Sequence, residues 1–178
     1  MATGNPVRFK VEGLAELREA LLQYPQELHK GPLKKAVRNG VRVARDAARM
    51  KVPILKSSDP AVLKRRKPGT LRNAIRIGWS KLDSSSVQET WNVFVKGLSR
   101  GKISRFKTQT GRNARLNPDD PYYWKVWEFG NGINNSKPFL RPAFEETKVR
   151  QVEVLRSTLA KDIGPTADKV RARTSRGR

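Results

Sequence analysis

The chain contains no cysteine. Disulfides and thiolate metal sites are therefore excluded, stability has to come from packing or assembly, and the absence fits a reducing compartment. Histidine is almost as scarce. His29 is the single one and stands in a stretch flanked by Pro25 and Gly31, so a Ser-His-Asp or Cys-His nucleophile would rest on one linker residue; a solvated histidine is the expected reading. No apolar run approaches the roughly 20 residues needed to cross a bilayer, and residues 1–6 lack the apolar segment of a secretory signal. The expectation is a soluble protein with no membrane partner that is not exported by that route. Acids are the third shortage: 16 Asp and Glu face 38 Lys and Arg, a formal net charge of +22. Such an excess repels itself and calls for a polyanion or an acidic protein surface nearby.

What is present is a chain of 178 residues, long enough for one domain with a real core and extensions. Aromatic residues supply the largest buried area per side chain. Seven of the thirteen fall within residues 121–145: Tyr122, Tyr123, Trp124, Trp127, Phe129, Phe139 and Phe144. The core is expected to condense there, around Trp124, Trp127, Phe129, Phe139 and Leu140.

Taken in order, residues 7–11 alternate, with Val7, Phe9 and Val11 on one side, and predict a short half-buried strand. Leu14, Leu17, Leu21 and Leu22 recur at helical spacing until Pro25 stops that helix. A second helix is predicted over residues 32–51, with Pro32 at its first position. Leu33, Ala36, Val37, Gly40, Val41, Ala44, Ala47 and Ala48 form its apolar face. The Ala-rich face with Gly40 implies close approach to a sheet or another helix. Opposite it, Lys35, Arg38, Arg42, Arg45 and Arg49 share one side of a rod roughly 30 Å long. That stripe is either a solvated surface or a contact for a phosphate backbone or an acidic partner, since only Asp46 lies close to it on the same helix.

Residues 53–69 read as a loop rich in proline, serine and basic residues. Leu71, Ile75, Ile77 and Trp79 predict a second strand; Trp91, Val93 and Val95 are the inward set of a third, and residues 83–86 a hairpin connection. Residues 97–118 carry Arg100, Lys102, Arg105, Lys107, Arg112 and Arg115 without one acid, and read as a long basic loop, either a functional contact or a tolerated surface insertion. A final helix is expected over residues 142–162, with Ala143, Val149, Val152, Leu155 and Leu159 facing inward. Gly164 and Pro165 would end it and leave a basic tail over residues 165–178. The organisation expected is a single α+β domain over residues 1–164, with the basic loop at 97–118, followed by that tail.

Catalysis is not expected, and no cofactor or metal is implied. Asp119, Asp120 and Glu128 could gather as a carboxylate cluster, but Asp119 and Asp120 fit better as acids at a helix start just before Pro121. Gly130-Asn131-Gly132 lacks the following Gly-Lys of a phosphate loop.

Several words carry a resemblance: Phe9-Lys-Val-Glu-Gly-Leu-Ala-Glu-Leu17, the Ala/Val-rich helix ending at Val52-Pro53, Gly69-Thr70-Leu71-Arg72 before the hairpin, Tyr123 with Trp127-Glu128-Phe129-Gly130, and Pro138-Phe139-Leu140-Arg141-Pro142-Ala143. Together they resemble the tail-component family of long-tailed, lambdoid-type bacteriophages, proteins that complete the tail or join it to the head. The likeness spans residues 9–159. It implies a small curved antiparallel sheet packed on the long amphipathic helix, and a subunit that assembles with itself, by family analogy as a hexameric ring, at the neck or tail end of the virion. Other phage neck and tail proteins and packaged DNA would be its partners, with assembly in the host cytoplasm. Glu128, Asn131, Asn134, Lys137 and Arg141 would then be the candidates for subunit contacts, with Glu128 and Arg141 pairing either within a subunit or between subunits. The basic loop and tail depart from the family pattern and leave connector, terminator and tail-completion roles open. A free, non-specific nucleic-acid-binding protein is the alternative that composition alone suggests.

Overall fold

The structure is a computed structural model that describes residues 26–176 except 57, 65, 85–87 and 131–134; of residues 26–30, 115 and 166–176 it describes the backbone alone. The first strand and first helix expected from the sequence, at residues 7–11 and 14–24, lie outside the described residues. The elements are α1 (Gln26–Lys51), α2 (Pro60–Leu63), α3 (Thr70–Ala74), β1 (Ile75–Trp79), β2 (Trp91–Val95), α4 (Arg100–Thr110), a short 3-10 turn (Ala114–Leu116), α5 (Trp124–Phe129) and α6 (Leu140–Arg176). The architecture is α+β: a two-stranded antiparallel sheet packed against the long helix α1, with a C-terminal helix.

The chain divides into two compact units, and α1, the strands and α6 contribute residues to both. The first contains residues 45–76 and 93–143. Its core joins Ala47, Ala48 and Val52 after the middle of α1 to Leu71, Ile75, Val95, Trp124, Phe139, Leu140 and Ala143. Ile75 and Phe139 are fully buried, each contributing about 1.5–3 kcal/mol through removal of apolar area from water. Val95 pairs with Ile75, a register set by the Lys96 N–H donating to the Ala74 carbonyl (2.8 Å).

Of the described residues, the second unit contains those within 26–44, 77–92 and 144–176. Ala36 of α1 packs on Leu155 and Leu159 of α6, with Leu33, Val37 and Ile163 around them. A Cβ on Gly40 would stand 3.0 Å from the carbonyl oxygen of Gln151, so glycine is what permits this approach, as its place on the Ala-rich face suggested. Trp79 and Trp91 lie opposite one another at the sheet's other end, where the Ser80 N–H donates to the Thr90 carbonyl (2.9 Å). Lys34 and Arg38 of α1 hold their charges 4.5 and 5.8 Å from the ring centroids of Trp79 and Trp91, cation–π contacts that tie helix to sheet. Asp83 and Ser84 organise the hairpin connection: Ser80 Oγ donates to the Asp83 carboxylate (2.6 Å) and the Thr90 N–H to Ser84 Oγ (2.9 Å).

Several expectations need correction. Pro32 lies inside α1, which begins at Gln26 and includes His29, so that histidine is helical rather than in a linker; the proline forgoes the helix bond to the Leu28 carbonyl. Leu71 sits in α3, not in a strand, because the Gly69 turn starts a short helix there. Asp59 caps a further short helix, α2, within the expected loop at 53–69. Residues 97–118 are not a loop: Ser99 caps the start of α4 by accepting the Lys102 N–H, and Gly111, at φ 65°, ends it. Those caps, not an apolar period, define the helix. Val149 is 66% exposed, since at 100° per residue it lies roughly 120° from Leu155; Gln151 is buried instead, its amide donating to Thr147 Oγ1 (3.0 Å). Finally, α6 passes through Pro165 to Arg176. Lys161, the residue whose carbonyl the proline cannot satisfy, is exposed, so water can take that bond.

Candidate functional site

Three stretches of sequence meet in the first unit. Lys67-Pro68-Gly69-Thr70 forms a tight turn in which Gly69 takes φ 76°, ψ −1°, and the Thr70 N–H donates to the Lys67 carbonyl (3.3 Å). Proline second and glycine third are what a type II turn demands. The Thr70 hydroxyl lies within hydrogen-bond distance of the Lys67 and Pro118 carbonyls (2.9 and 3.1 Å), so the turn is tied to the segment leading into α5. The next residue, Leu71, enters the core.

The second and third stretches are joined by Glu128, which is 4% exposed. Its Oε2 accepts the backbone N–H groups of Phe139 (2.8 Å) and Leu140 (3.0 Å), and Oε1 that of Arg141 (3.1 Å). These N–H groups open α6 and have no partner within the helix, and a carboxylate there also complements the helix dipole. The Lys137 N–H donates to the Trp127 carbonyl (2.7 Å), closing the same connection. Glu128, expected at a subunit contact, therefore serves the interior: its oxygens are occupied by backbone donors, and it meets the main chain of Arg141 rather than its guanidinium. The Arg141 and Lys137 side chains are exposed, and Lys137 holds its ammonium 5.8 Å from the Trp127 ring centroid. Asn131 and Asn134 lie outside the described residues. Of the expected core, Trp124, Phe139 and Leu140 are buried and Trp127 is partly buried; Phe129 is 52% exposed, as the last residue of α5, with its ring against Trp124 at 6.2 Å.

The α1 stripe is not uniformly free. Within the second unit, Lys35 pairs with Asp162 (2.9 Å), Arg38 lies over Trp91, and Arg42 donates to Asn39 (3.3 Å). Within the first, Arg45 makes two bonds to Asp46 (2.8 and 3.0 Å), and Arg49 donates to the Ile75 carbonyl (2.8 Å). Burial lowers the Arg49 pKa, and Arg45, Arg76 and Arg72 lower it further while Asp46 opposes them. Arg49 thus directs its guanidinium at the sheet.

On α4, Arg100, Lys102, Arg105 and Lys107 are exposed, with Arg112 beyond; only Ile103 and Phe106 are half-buried. Arg115 falls in the 3-10 turn, where only its backbone is described. Residues that sequence reasoning missed complete the region. Arg66 donates to Tyr122 Oη and lies 4.8 and 5.1 Å from the Tyr122 and Tyr123 ring centroids. Arg76 and Lys96 are exposed on the sheet. The alternation of Arg76 with Ile75 and Ile77 was the available signal.

The acids have separate tasks. Asp119 pairs with Lys67 (2.8 Å). Asp120 is pushed above its usual range by burial, against the pull of the Tyr122 backbone N–H and of Arg66. Burial likewise raises Tyr123, with Arg66 opposing and Tyr122 and Asp120 adding to the rise. Among the described residues no group of three or more His, Asp or Glu side chains gathers as a metal site, and no helix is long and apolar enough to cross a membrane. Comparison with known proteins found no matching family model, no matching curated protein and no matching solved structure.

Proposed function

We propose that the chain is a structural subunit of a tailed-bacteriophage virion, closing into a ring at the neck or head-proximal end of the tail that completes the tail or joins it to the head. The observation that carries the reading is the Glu128 interlock. The Trp-Glu-Phe-Gly and Pro-Phe-Leu-Arg-Pro-Ala words, which resemble the phage tail-component family, form one structural joint here, and the Gly-Thr-Leu-Arg word sends Leu71 into the same core. Words that fit one another physically are a better mark of relationship than words scattered on a surface. The function needs no cofactor and no catalysis. By family analogy the ring is a hexamer, its basic elements facing packaged DNA or acidic neighbouring rings. A channel around DNA calls for phosphate attraction without base reading, which dispersed Lys and Arg supply.

The test is phage assembly. Particles made without this protein should accumulate unjoined heads and tails, and mass measurement of the purified protein or of isolated necks should give a ring. Normal joining without it, in a protein that binds neither DNA nor any phage component, would remove the reading. A second reading, a free nucleic-acid-binding protein, is favoured by the exposed cations of α4, a helix without one acid. Genes for capsid and tail proteins beside this one would decide for the first; an isolated gene would decide for the second.

A further inference from the structure

We infer that a cleft in the first unit, between the 67–70 turn, the Arg76/Lys96 end of the sheet and the start of α4, is a phosphate site that grips a nucleic-acid backbone. Its volume is about 420 Å³. Lys67, Arg76, Lys96 and Lys102 line it against a single acid, Asp119, which already pairs with Lys67 at 2.8 Å. The charged ends of Arg76, Lys96 and Lys102 meet no hydrogen-bond acceptor among the described residues.

The fold forces these cations together. Successive strand residues point to opposite faces, so burying Ile75 and Val95 turns Arg76 and Lys96 outward together. Ser99 then starts α4 just beyond β2 and puts Lys102 in its first turn, where no acid offsets it. A cation at that end of a helix is the unfavourable choice, and gathering three others around it adds repulsion. An anion removes both penalties. A phosphodiester needs charge and donors, and the lining supplies both: Arg76 can grip two phosphate oxygens at once, Lys96 and Lys102 act as point charges, and the Asn73 amide adds a neutral donor. The site deepens the proposed function and rests on it only for the identity of the polyanion; binding is expected to be independent of base sequence.

The experiment measures binding of the full chain to short duplex DNA by fluorescence anisotropy across a salt series. Replacing Arg76, Lys96 and Lys102 together by Gln should weaken binding about tenfold or more and reduce the salt slope by roughly 2 to 3, about one unit per lost phosphate contact. The control removes equal charge elsewhere (Lys125→Gln, Arg156→Gln, Lys161→Gln) and should leave the slope nearly unchanged. Circular dichroism and thermal midpoints confirm that both variants fold. Equal slopes for the two triple variants overturn the cleft while leaving the proposed virion role standing, and a wild-type chain that ignores duplex DNA overturns it as well. Polyglutamate held as tightly as DNA, and lost in the same variant, overturns the phosphate assignment in favour of an acidic protein segment. Head-tail joining in particles lacking the protein reports on the virion role alone.

Discussion

The carboxylate of Glu128 lies 2.8 Å from the backbone nitrogen of Phe139, eleven residues along the chain. It takes the N–H groups of Leu140 and Arg141 as well, so a side chain of α5 caps α6 from outside that helix. Glu128→Ala would leave the buried donors of Phe139 and Leu140 without a partner. The expected loss is roughly 2–5 kcal/mol, and Glu128→Gln, which keeps one acceptor oxygen but opposes an amide to a donor, should fall between. Urea unfolding of the two variants checks the order; a wild-type midpoint in Glu128→Ala would show that the cap is not structural.

Phe139 and Phe129 belong to the same aromatic stretch but should behave differently. Phe139 is fully buried, and Phe139→Ala should cost about 3–5 kcal/mol through the cavity it leaves. Phe129 is 52% exposed, and Phe129→Ala should cost under about 1 kcal/mol. Trp127→Ala, partly buried beneath Lys137, is expected between them. Thermal unfolding of the three variants suffices to rank them.

Gly40 tests the second unit. Alanine there would gain about 1 kcal/mol of helix propensity but would bring its Cβ to 3.0 Å from the Gln151 carbonyl. Gly40→Val adds bulk that a backbone carbonyl cannot yield to, and should cost about 1–3 kcal/mol. A stability at or above wild type in Gly40→Val would mean that α1 and α6 are not in contact at this point.

How legible these features were depends on whether the cause is local. The apolar face of α1 was readable because Ala36, Gly40, Ala44, Ala47 and Ala48 repeat at helical spacing. The α4 helix was hidden because only Ile103 and Phe106 turn inward, and Ser99 and Gly111 define it through backbone bonds that composition does not advertise. Glu128 carried no spacing signal, since its partners are backbone N–H groups eleven to thirteen residues away. Arg49 looked like a member of the basic stripe because the carbonyl it reaches, that of Ile75, belongs to a strand whose packing on α1 is tertiary. Of the cleft, only the basic character of residues 53–69 and Lys102 of the basic 97–118 stretch were visible; Arg76 and Lys96 join them through the register of the sheet and the position of the Ser99 cap.

Asp120 gives a pH signature with a definite sign. Burial raises its pKa in the folded protein above the ordinary aspartate range, so between the ordinary value and the raised one the native state holds more of this proton than the unfolded chain. The group's contribution to stability therefore falls as pH rises from the unfolded pKa through the raised folded one. Asp120→Asn retains an acceptor for the Tyr122 N–H and removes the titration. Wild-type stability minus that of the variant, measured by urea unfolding at a series of pH values, should decline across this window. A flat or rising difference would contradict the burial.

Arg49 and Arg38 separate a structural cation from a binding one on a single helix. The Arg49 side chain is 26% exposed and its guanidinium donates to the Ile75 carbonyl, while Arg38 is exposed above the Trp91 ring. Arg49→Met removes a charge-assisted bond worth roughly 1.5–3 kcal/mol, offset in part by relief of desolvation and of repulsion from Arg45, Arg76 and Arg72. Its net effect should be a loss of about 1–2 kcal/mol in stability with DNA affinity nearly unchanged. Arg38→Glu with Arg42→Glu loses the Arg38–Trp91 contact and the half-buried Arg42–Asn39 bond, at a cost of about 1–2 kcal/mol in unfolding, but should in addition weaken DNA retention or assembly, which Arg49→Met should not. Anisotropy against duplex DNA and urea unfolding, run on the same preparations, read both quantities. Should the double reversal leave DNA affinity, ring formation and phage titre unchanged, the exposed part of the α1 stripe is solvated surface, and the phosphate contacts belong to the cleft and α4.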